Sequence, residues 1–245
     1  MDLKFTWRAW KTRLRDQRCE LAALKLALAN GGVALDVGAN KGSYLYWLAK
    51  WSGGAQVVAF EPQKKLADYL TGALQRAGMA HAHVEHLALS DQTGEITLYI
   101  PGDSDSPGAS LERSVSTKMD CHEERVRMTT LDAYAAAHLK SPVKALKIDV
   151  EGHEWAVLKG AANTLATDKP VLVVECEERH LSGGATVREV IDWVEKLGYK
   201  ASVATPLGQE FDAAQYKAAL HQKQSGARFW DAKDYCNNFI FRPLP

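Results

Sequence analysis

Short apolar runs alternate along the chain with stretches whose apolar residues recur every three or four positions. The runs predict buried strands, and the longer spacing predicts amphipathic helices. The predicted strands are 33–37, 55–60, 82–89, 143–148, 170–176, 199–205 and a last strand within 234–243. The predicted helices between them are 42–51, 63–78, 131–139, 153–166 and 187–198. This alternation predicts an α/β fold with a parallel sheet and helices on both of its faces.

Two helix starts carry polar residues that can satisfy free backbone N–H groups. Thr186 and Glu189 form a capping box before helix 187–198. Thr129 and Asp132 resemble such a box before helix 131–139.

Two segments depart from the alternating pattern. Residues 1–32 are predicted to be helical, with basic residues early, and Trp7 and Trp10 share one helix face. We favour packing of both tryptophans on the core; docking on a membrane surface or a partner is the alternative. Residues 33–245 are predicted to form one domain. Its polar segment 102–124, rich in Gly, Pro and Ser, is predicted to be an inserted loop.

Composition narrows the class of protein. The 245 residues carry a formal net charge of zero, so no global field recruits nucleic acid. No apolar run approaches the roughly 18 residues of a spanning helix, and the N-terminus lacks the apolar core of a signal peptide. The four cysteines have no zinc or redox spacing. We therefore expect a reduced, cytoplasmic protein without a transmembrane segment; a homo-oligomer stays open.

Four carboxylates stand at or just after the carboxyl ends of predicted strands: Asp36, Glu61, Asp149 and Glu175. A carboxylate beside an apolar strand is costly to desolvate unless a ligand, a partner or water solvates it. Ligands of parallel sheets bind outside this edge. The edge is therefore the predicted binding site.

The stretch "LDVGANKGSY" carries the first specific chemistry. Gly38 and Gly42 permit a tight turn and a close approach of the backbone to a ligand. Asp36 would repel a pyrophosphate and suits a cation, such as the sulfonium and ammonium of S-adenosylmethionine. Glu61 is placed to accept hydrogen bonds from ribose hydroxyls. The alternative is a glycine turn without a nucleotide, with Glu61 favouring the positive end of the following helix.

Six motifs in order resemble the FkbM family of S-adenosylmethionine-dependent methyltransferases. They are "LDVGANKGSY", "VVAFEPQKKL", "LALSDQTGEITLYIP", "TTLDAY", "LKIDVEGHEWAVLKGA" and "PVLVVECE". The resemblance implies a Rossmann-like, seven-strand sheet whose last strand is antiparallel. It also implies O-methylation of a hydroxyl on a sugar, a glycan or a natural-product-like small molecule. The residues it places at the cofactor are Asp36, Gly38, Asn40, Gly42 and Glu61, with Ser90 and Asp91 near the adenine.

Methyl transfer to a hydroxyl needs an oriented oxygen and a route for its proton. In one arrangement the proton passes directly to a group of the "KIDVEGHE" segment, which offers Asp149, Glu151 and His153. In the other, Asp149 and Glu175 hold a divalent metal such as Mg²⁺, which lowers the pKa of the hydroxyl. That second arrangement resembles the catechol-type O-methyltransferases. The sequence does not decide between the two.

Other functions are disfavoured by particular residues. Asp36 argues against an NAD-dependent oxidoreductase. "DVEG" after the fourth strand, in place of an Asn/Asp-Pro-Pro-aromatic motif, argues against a nucleic-acid methyltransferase. N-methylation and a non-catalytic module that keeps the fold stay open.

The cysteines give a test of the strand order. If the last strand runs antiparallel beside the fifth, Cys176 and Cys236 lie near the same end of the sheet. We expect two nearby thiols without a disulfide.

Overall fold

The computed structural model describes residues 3–101, 109–111, 121–181, 184–226 and 228–245. Most of the predicted inserted loop 102–124 lies outside these residues, which include only 109–111 and 121–124 of it.

The alternation of strands and helices follows the predicted order. Within the described ranges the strands are β1 (Val33–Val37), β2 (Val57–Phe60), β3 (Ala82–Glu85), β4 (Ala88–Leu89), β5 (Gly94–Pro101), β6 (Cys121–Thr129), β7 (Val143–Ile148), β8 (Val171–Glu175), β9 (Tyr199–Ala204), β10 (Glu210–Asp212) and β11 (Asn238–Pro243). The α-helices are α1 (Leu3–Lys11), α2 (Arg18–Ala27), α3 (Ser43–Trp51), α4 (Lys64–Ala77), α5 (Leu131–His138), α6 (Glu154–Lys159), α7 (Ala162–Asp168), α8 (Val187–Lys196) and α9 (Ala218–His221).

The main sheet has the strand order β10-β9-β11-β8-β7-β1-β2-β3. Strands β8, β7, β1, β2 and β3 are parallel, and β11 runs antiparallel between β8 and β9. The predicted mostly parallel sheet with an antiparallel last strand is confirmed. The strand number is eight rather than seven, because the short β10 pairs with β9 at the edge.

A second, three-stranded sheet has the order β4-β6-β5. The predicted strand 82–89 is divided between the two sheets, since β3 joins the main sheet and β4 joins β6. A small apolar cluster, which includes Leu98, Ile100 and Val126, holds the second sheet together. Continuous apolar patterning could not reveal this division.

The N-terminal segment packs differently from the favoured interpretation. A π-helical stretch (Thr12–Asp16) joins α1 to α2. Phe5 and Ala9 are fully buried against the core, whereas Trp7 is largely exposed. Trp10 is partly exposed and meets Trp47 edge to face. The predicted packing is therefore seen for Trp10 but not for Trp7, and Phe5 and Ala9 anchor α1 instead.

The strand order that the two cysteines were expected to test is confirmed. Asn238 of β11 is paired with Glu175 of β8, and the Cys176 amide donates to the Asn237 carbonyl at 2.7 Å. Cys176 and Cys236 are both buried and free, and the Gln222 side chain donates to both of their carbonyl groups.

The described helices are too short or too polar to cross a membrane.

Candidate functional site

A cleft opens at the carboxyl ends of β1, β2 and β7. Register pairs Val37 with both Phe60 and Ile148, and Ile148 with Val174, so the residues that follow these strands are neighbours. The cleft is lined by backbone and side chains of Gly38, Asn40, Glu61, Gln63, Leu89, Leu98, Ala109, Leu111, Asp149, Val150 and Glu151. The predicted edge therefore forms one concave site, covered in part by residues of the second sheet.

Lys147 holds two of the predicted carboxylates. Its Nζ lies 3.3 Å from Asp36 Oδ1 and 3.3 Å from Asp149 Oδ2, and it donates to the Gly38 carbonyl at 2.8 Å. Burial alone would lower the pKa of Lys147, but the charges of Asp149 and Asp36 raise it above its ordinary value. The lysine is therefore a permanent cation, which offsets part of the cost of burying Asp36.

Asp36 is fully buried and incompletely satisfied. Neither of its carboxylate oxygens makes a hydrogen bond of normal geometry to a described residue, although the Lys147 ammonium is close. Burial raises the pKa of Asp36, and the lysine only opposes that shift. A buried oxygen without a full set of partners is a place where a further donor would be accommodated.

Because Gly38 has no side chain, the backbone at the end of β1 can lie close to the backbone that follows β7. Its φ is +75°, and a Cβ built on it would lie 1.8 Å from the Asp149 carbonyl oxygen. Gly42 also has a positive φ, of +79°, and caps the start of α3. Both glycines are thus required by geometry, as the tight turn predicted.

Glu61 organises the turn after β1. Its Oε2 accepts from the Asn40 amide at 2.7 Å and its Oε1 accepts from the Gln63 amide at 2.9 Å. Burial raises the pKa of Glu61 to about 7 despite these bonds. The carboxylate keeps free lone pairs at the cleft wall, because each oxygen can accept more than one bond.

Ser90 and Asp91 lie beyond Leu89, and His153 is joined to them. His153 Nε2 is 2.9 Å from Ser90 Oγ, and the ring is buried. Asp91 pairs with Lys159 at 3.2 Å. His153 stands at the start of α6, where it is buried and bound to Ser90, and it does not line the cleft.

Glu151 and Glu154 have different roles in the loop after β7. Glu154 accepts from the amides of Val150 and Gly152 at 3.0 and 3.1 Å, so it fixes the loop. Glu151 has a φ of +51°, and its carbonyl accepts from Ser110. Burial, and then the charge of Asp149, raise the pKa of Glu151 to about 8. Glu151 lines the cleft, whereas Glu154 does not.

A polar network surrounds the end of β8. The Asn237 side chain donates to Glu175 Oε1 at 2.7 Å and to Glu177 Oε1 at 3.2 Å. Arg179 and Tyr235 both donate to Glu177 Oε2 at 2.5 Å. Sequence reasoning missed Asn237 and Tyr235. The signal was available, because an antiparallel last strand brings the segment before it to this end of the sheet.

The structure gives no support to the predicted Mg²⁺ site at Asp149 and Glu175. Among the described residues, no group of three or more His, Cys, Asp or Glu side chains is arranged to hold a metal ion. Lys147 and Asn237 already bind these two carboxylates. Metal binding stays a prediction.

Comparison with known proteins is consistent with this geometry. The profile of the family described as "Methyltransferase FkbM domain" matches residues 36–201, more than half of the chain. The hexuronic acid methyltransferase AglP of Haloferax volcanii is 32% identical over 167 residues. That alignment spans 66% of this chain and 64% of AglP, so more than a third of AglP has no counterpart in it.

Solved structures show the same fold at low sequence identity. The methyltransferase FkbM from Methylobacillus flagellatus KT has a TM-score of 0.53 and 16% identity, over 86% of this chain and 44% of its own. SMU.1697c from Streptococcus mutans, in complex with SAH, has a TM-score of 0.51 and 9% identity, over 94% and 98%. At these identities the likeness concerns the fold alone.

Proposed function

Because the chain belongs to the FkbM methyltransferase family, we propose that it transfers a methyl group from S-adenosylmethionine to a hydroxyl of a sugar or glycan. The observation that carries the proposal is the cleft itself. It brings together a glycine turn, the buried Glu61 carboxylate that can accept hydrogen bonds from ribose hydroxyls, and the carboxylates Asp149 and Glu151.

The residues of the cleft fit a nucleoside cofactor with a cationic tail. Gly38 and Asn40 supply a close backbone approach, and Glu61 has lone pairs for the two ribose hydroxyls. Leu89, the residue before Ser90, lines the cleft, which supports the predicted place of Ser90 and Asp91 near the adenine. Asp36 has unsatisfied oxygens beneath the turn, which suit a cation acting directly or through water. Their place in the cleft supports Gly38, Asn40 and Glu61 as cofactor residues, whereas Asp36, Gly42, Ser90 and Asp91 stay predictions.

The relative AglP supports a sugar as the acceptor class, since its name states a hexuronic acid. Arg179 is close enough to the cleft for its charge to oppose the raised pKa of Glu151, and two aromatic rings lie beside it. The Arg179 guanidinium lies 5.2 Å from the Phe229 ring centre and 5.6 Å from that of Trp230. Aromatic faces pack against sugar rings, and a guanidinium can bind a carboxylate in two-point fashion. We infer that the acceptor enters beside Arg179.

The carboxylates would orient the hydroxyl and take its proton. The bound cofactor supplies an electrophilic methyl group. Asp149 is partly exposed and fixed by Lys147, so it can accept a hydrogen bond from the acceptor. Glu151 lines the same cleft with a raised pKa, and a base near neutral pKa is effective at physiological pH. The proton leaves on a carboxylate as the new carbon–oxygen bond replaces the carbon–sulfur bond.

The test is calorimetric titration with S-adenosylhomocysteine, with and without magnesium. We expect micromolar binding by the wild type. Glu61→Gln should weaken it by roughly 10- to 100-fold, since a hydrogen bond to a charged group contributes about 1.5–3 kcal/mol. Asp36→Ala should weaken it as well. The exposed Asp68→Asn is the matched control and should bind like the wild type.

Transfer of a labelled methyl group to uronic acids and to neutral sugars then tests the acceptor. Binding without turnover on any hydroxylated acceptor would favour the non-catalytic module. Turnover on amines alone would show that the methyl acceptor is a nitrogen rather than an oxygen. Failure of well-folded wild-type protein to bind S-adenosylhomocysteine would remove the proposal.

A further inference from the structure

An apolar stripe lies on the outer side of the N-terminal helices. Leu3, Trp7 and Trp10 are spaced four and three residues apart on α1, and Leu14 follows one turn later. Their exposed fractions are 75, 70, 43 and 56%. Single exposed apolar residues are ordinary, but four in register form a continuous patch. This stripe, defined as Leu3, Trp7, Trp10 and Leu14, is the apolar surface that the N-terminal helices present outwards, although Trp10 also contacts Trp47 of the core.

The stripe is distinct from the face of α1 that packs on the core. Phe5 and Ala9 are fully buried, and they lie on nearly the opposite side of the same helix. The Trp47 indole also donates to the Ala9 carbonyl at 2.8 Å, which fixes α1 on α3. The helix therefore has two apolar faces, one holding it to the protein and one presented outwards.

Basic side chains border the stripe. Lys4 and Lys11 are exposed on α1, and Arg18 and Lys25 are exposed on α2. The one acid between residues 3 and 30 whose side chain the structure describes is Glu20, which is buried. The local surface is thus strongly positive although the whole chain has no net charge.

We propose that α1 docks side-on on an anionic lipid surface. Leu3, Trp7 and Trp10 would enter the boundary between headgroups and acyl chains, where tryptophan is favoured. Lys4 and Lys11 would meet the anionic headgroups, at about 1 kcal/mol for each basic residue near the surface. A second copy of the chain is disfavoured as the occupant, because two basic borders would face each other and repel.

Docking would bring the functional site near the membrane. Arg8, Thr12 and Gln17 line a cavity together with Lys147 and Asp149. Arg8 and Trp7 are adjacent residues of one helix, so the stripe and this cavity share α1. The docking proposal itself does not depend on the methyltransferase activity.

The experiment is flotation of the full chain with vesicles of pure phosphatidylcholine and with vesicles containing phosphatidylglycerol. We expect binding to the anionic vesicles that weakens as salt rises. Leu3→Ser combined with Trp7→Ser should reduce the partition constant by about tenfold or more, since two large apolar groups are removed. Lys4→Glu combined with Lys11→Glu should reduce it to a similar extent. Leu220→Ser, at an exposed leucine outside the N-terminal helices, is the matched control and should bind like the wild type.

Thermal melting and S-adenosylhomocysteine titration of each variant separate docking from folding and from cofactor binding. Unchanged melting with lost flotation supports the proposal. Absence of wild-type binding to anionic vesicles would overturn it. So would a wild-type dimer, seen by light scattering, that the Leu3/Trp7 variant converts to a monomer without any lipid binding.

Discussion

Lys147 is the residue that explains why several acids can crowd one strand end. Its ammonium contacts Asp36 on one side and Asp149 on the other, so the cluster includes its own cation. Lys147 of β7 is the register partner of Asp36 in β1, which sets the two side chains next to each other. Removing one member of such a buried group leaves the other charges uncompensated, which makes these residues costly to change.

Residue-level prediction worked where a backbone requirement was strict and failed where a partner came from far along the chain. Gly38, Gly42 and the acids at strand ends could be located from short motifs. The bond between His153 and Ser90 joins residues 63 positions apart, and no local pattern contains it. Tyr235 and Asn237 are similar cases, since their role depends on the sheet order.

A buried acid outside the site gives a prediction about pH. Burial raises the pKa of Glu20 to about 7, with Cys19 and Glu210 nearby. Between roughly pH 4.5 and 7 the unfolded chain loses this proton before the folded chain does, so stability from this group falls as pH rises. The free energy of unfolding of Glu20→Gln, relative to that of wild type, should therefore rise by about 1–3 kcal/mol from pH 5 to pH 8.

Urea unfolding at the two pH values measures this gain. The difference in stability between Asp68→Asn, which changes an exposed acid, and wild type should be nearly the same at the two pH values. An equal difference between Glu20→Gln and wild type at both pH values would mean that Glu20 ionises normally in the folded protein.

At the level of elements, the strand and helix order was predictable but some ends and partners were not. The capping box of Thr186 and Glu189 is confirmed at the start of α8. At α5 the cap is Thr130 rather than Thr129, and it accepts from the Ala133 amide. Asp132 is instead hydrogen-bonded to the amide of Thr164 in α7. A tertiary partner thus replaced the local one.

The contact between the β1 and β7 ends predicts a strong effect of one methyl group. Gly38→Ala would place a Cβ 1.8 Å from the Asp149 carbonyl, besides the strain of a φ of +75°. Gly78→Ala is the matched control, because its φ is +70° and nothing lies within 4 Å. The control should lose about 1–2 kcal/mol from backbone strain alone.

Gly38→Ala should lose several kcal/mol more or fail to fold, because neither strand can move without disturbing the sheet. Chemical unfolding of both variants measures the difference. Equal losses at the two positions would show that the β1 turn can relax and that close approach is not what selects glycine there.

At the scale of the whole molecule, the fold class and the antiparallel last strand followed from the sequence and the resemblance. The separate β4–β6–β5 sheet did not, because it depends on where a chain leaves one sheet and enters another. The second sheet matters for the site, since its residues Leu89 and Leu98 line the cleft at the ends of β1 and β2. The division of the chain into 1–32 and 33–245 stays a prediction.

Ligand binding should be visible in the stability of the entire chain. If S-adenosylhomocysteine binds the folded protein alone, a concentration 100 times Kd adds about 2.7 kcal/mol. For a chain of this size that corresponds to a rise in Tm of roughly 5–10 °C. Glu61→Gln should show a much smaller rise at the same concentration. An unchanged Tm for the wild type would contradict the cofactor assignment.

The position of β11 has a consequence for synthesis on the ribosome. β11 lies between β8 and β9, so these two strands share no hydrogen-bonded neighbour until residues 238–243 have been translated. When the first 237 residues have been made, β8 and β9 each still have an unpaired edge where β11 will bind. A nascent chain of this protein is thus exposed to wrong pairing at that edge, and a stop codon before position 238 would remove a central strand rather than a tail.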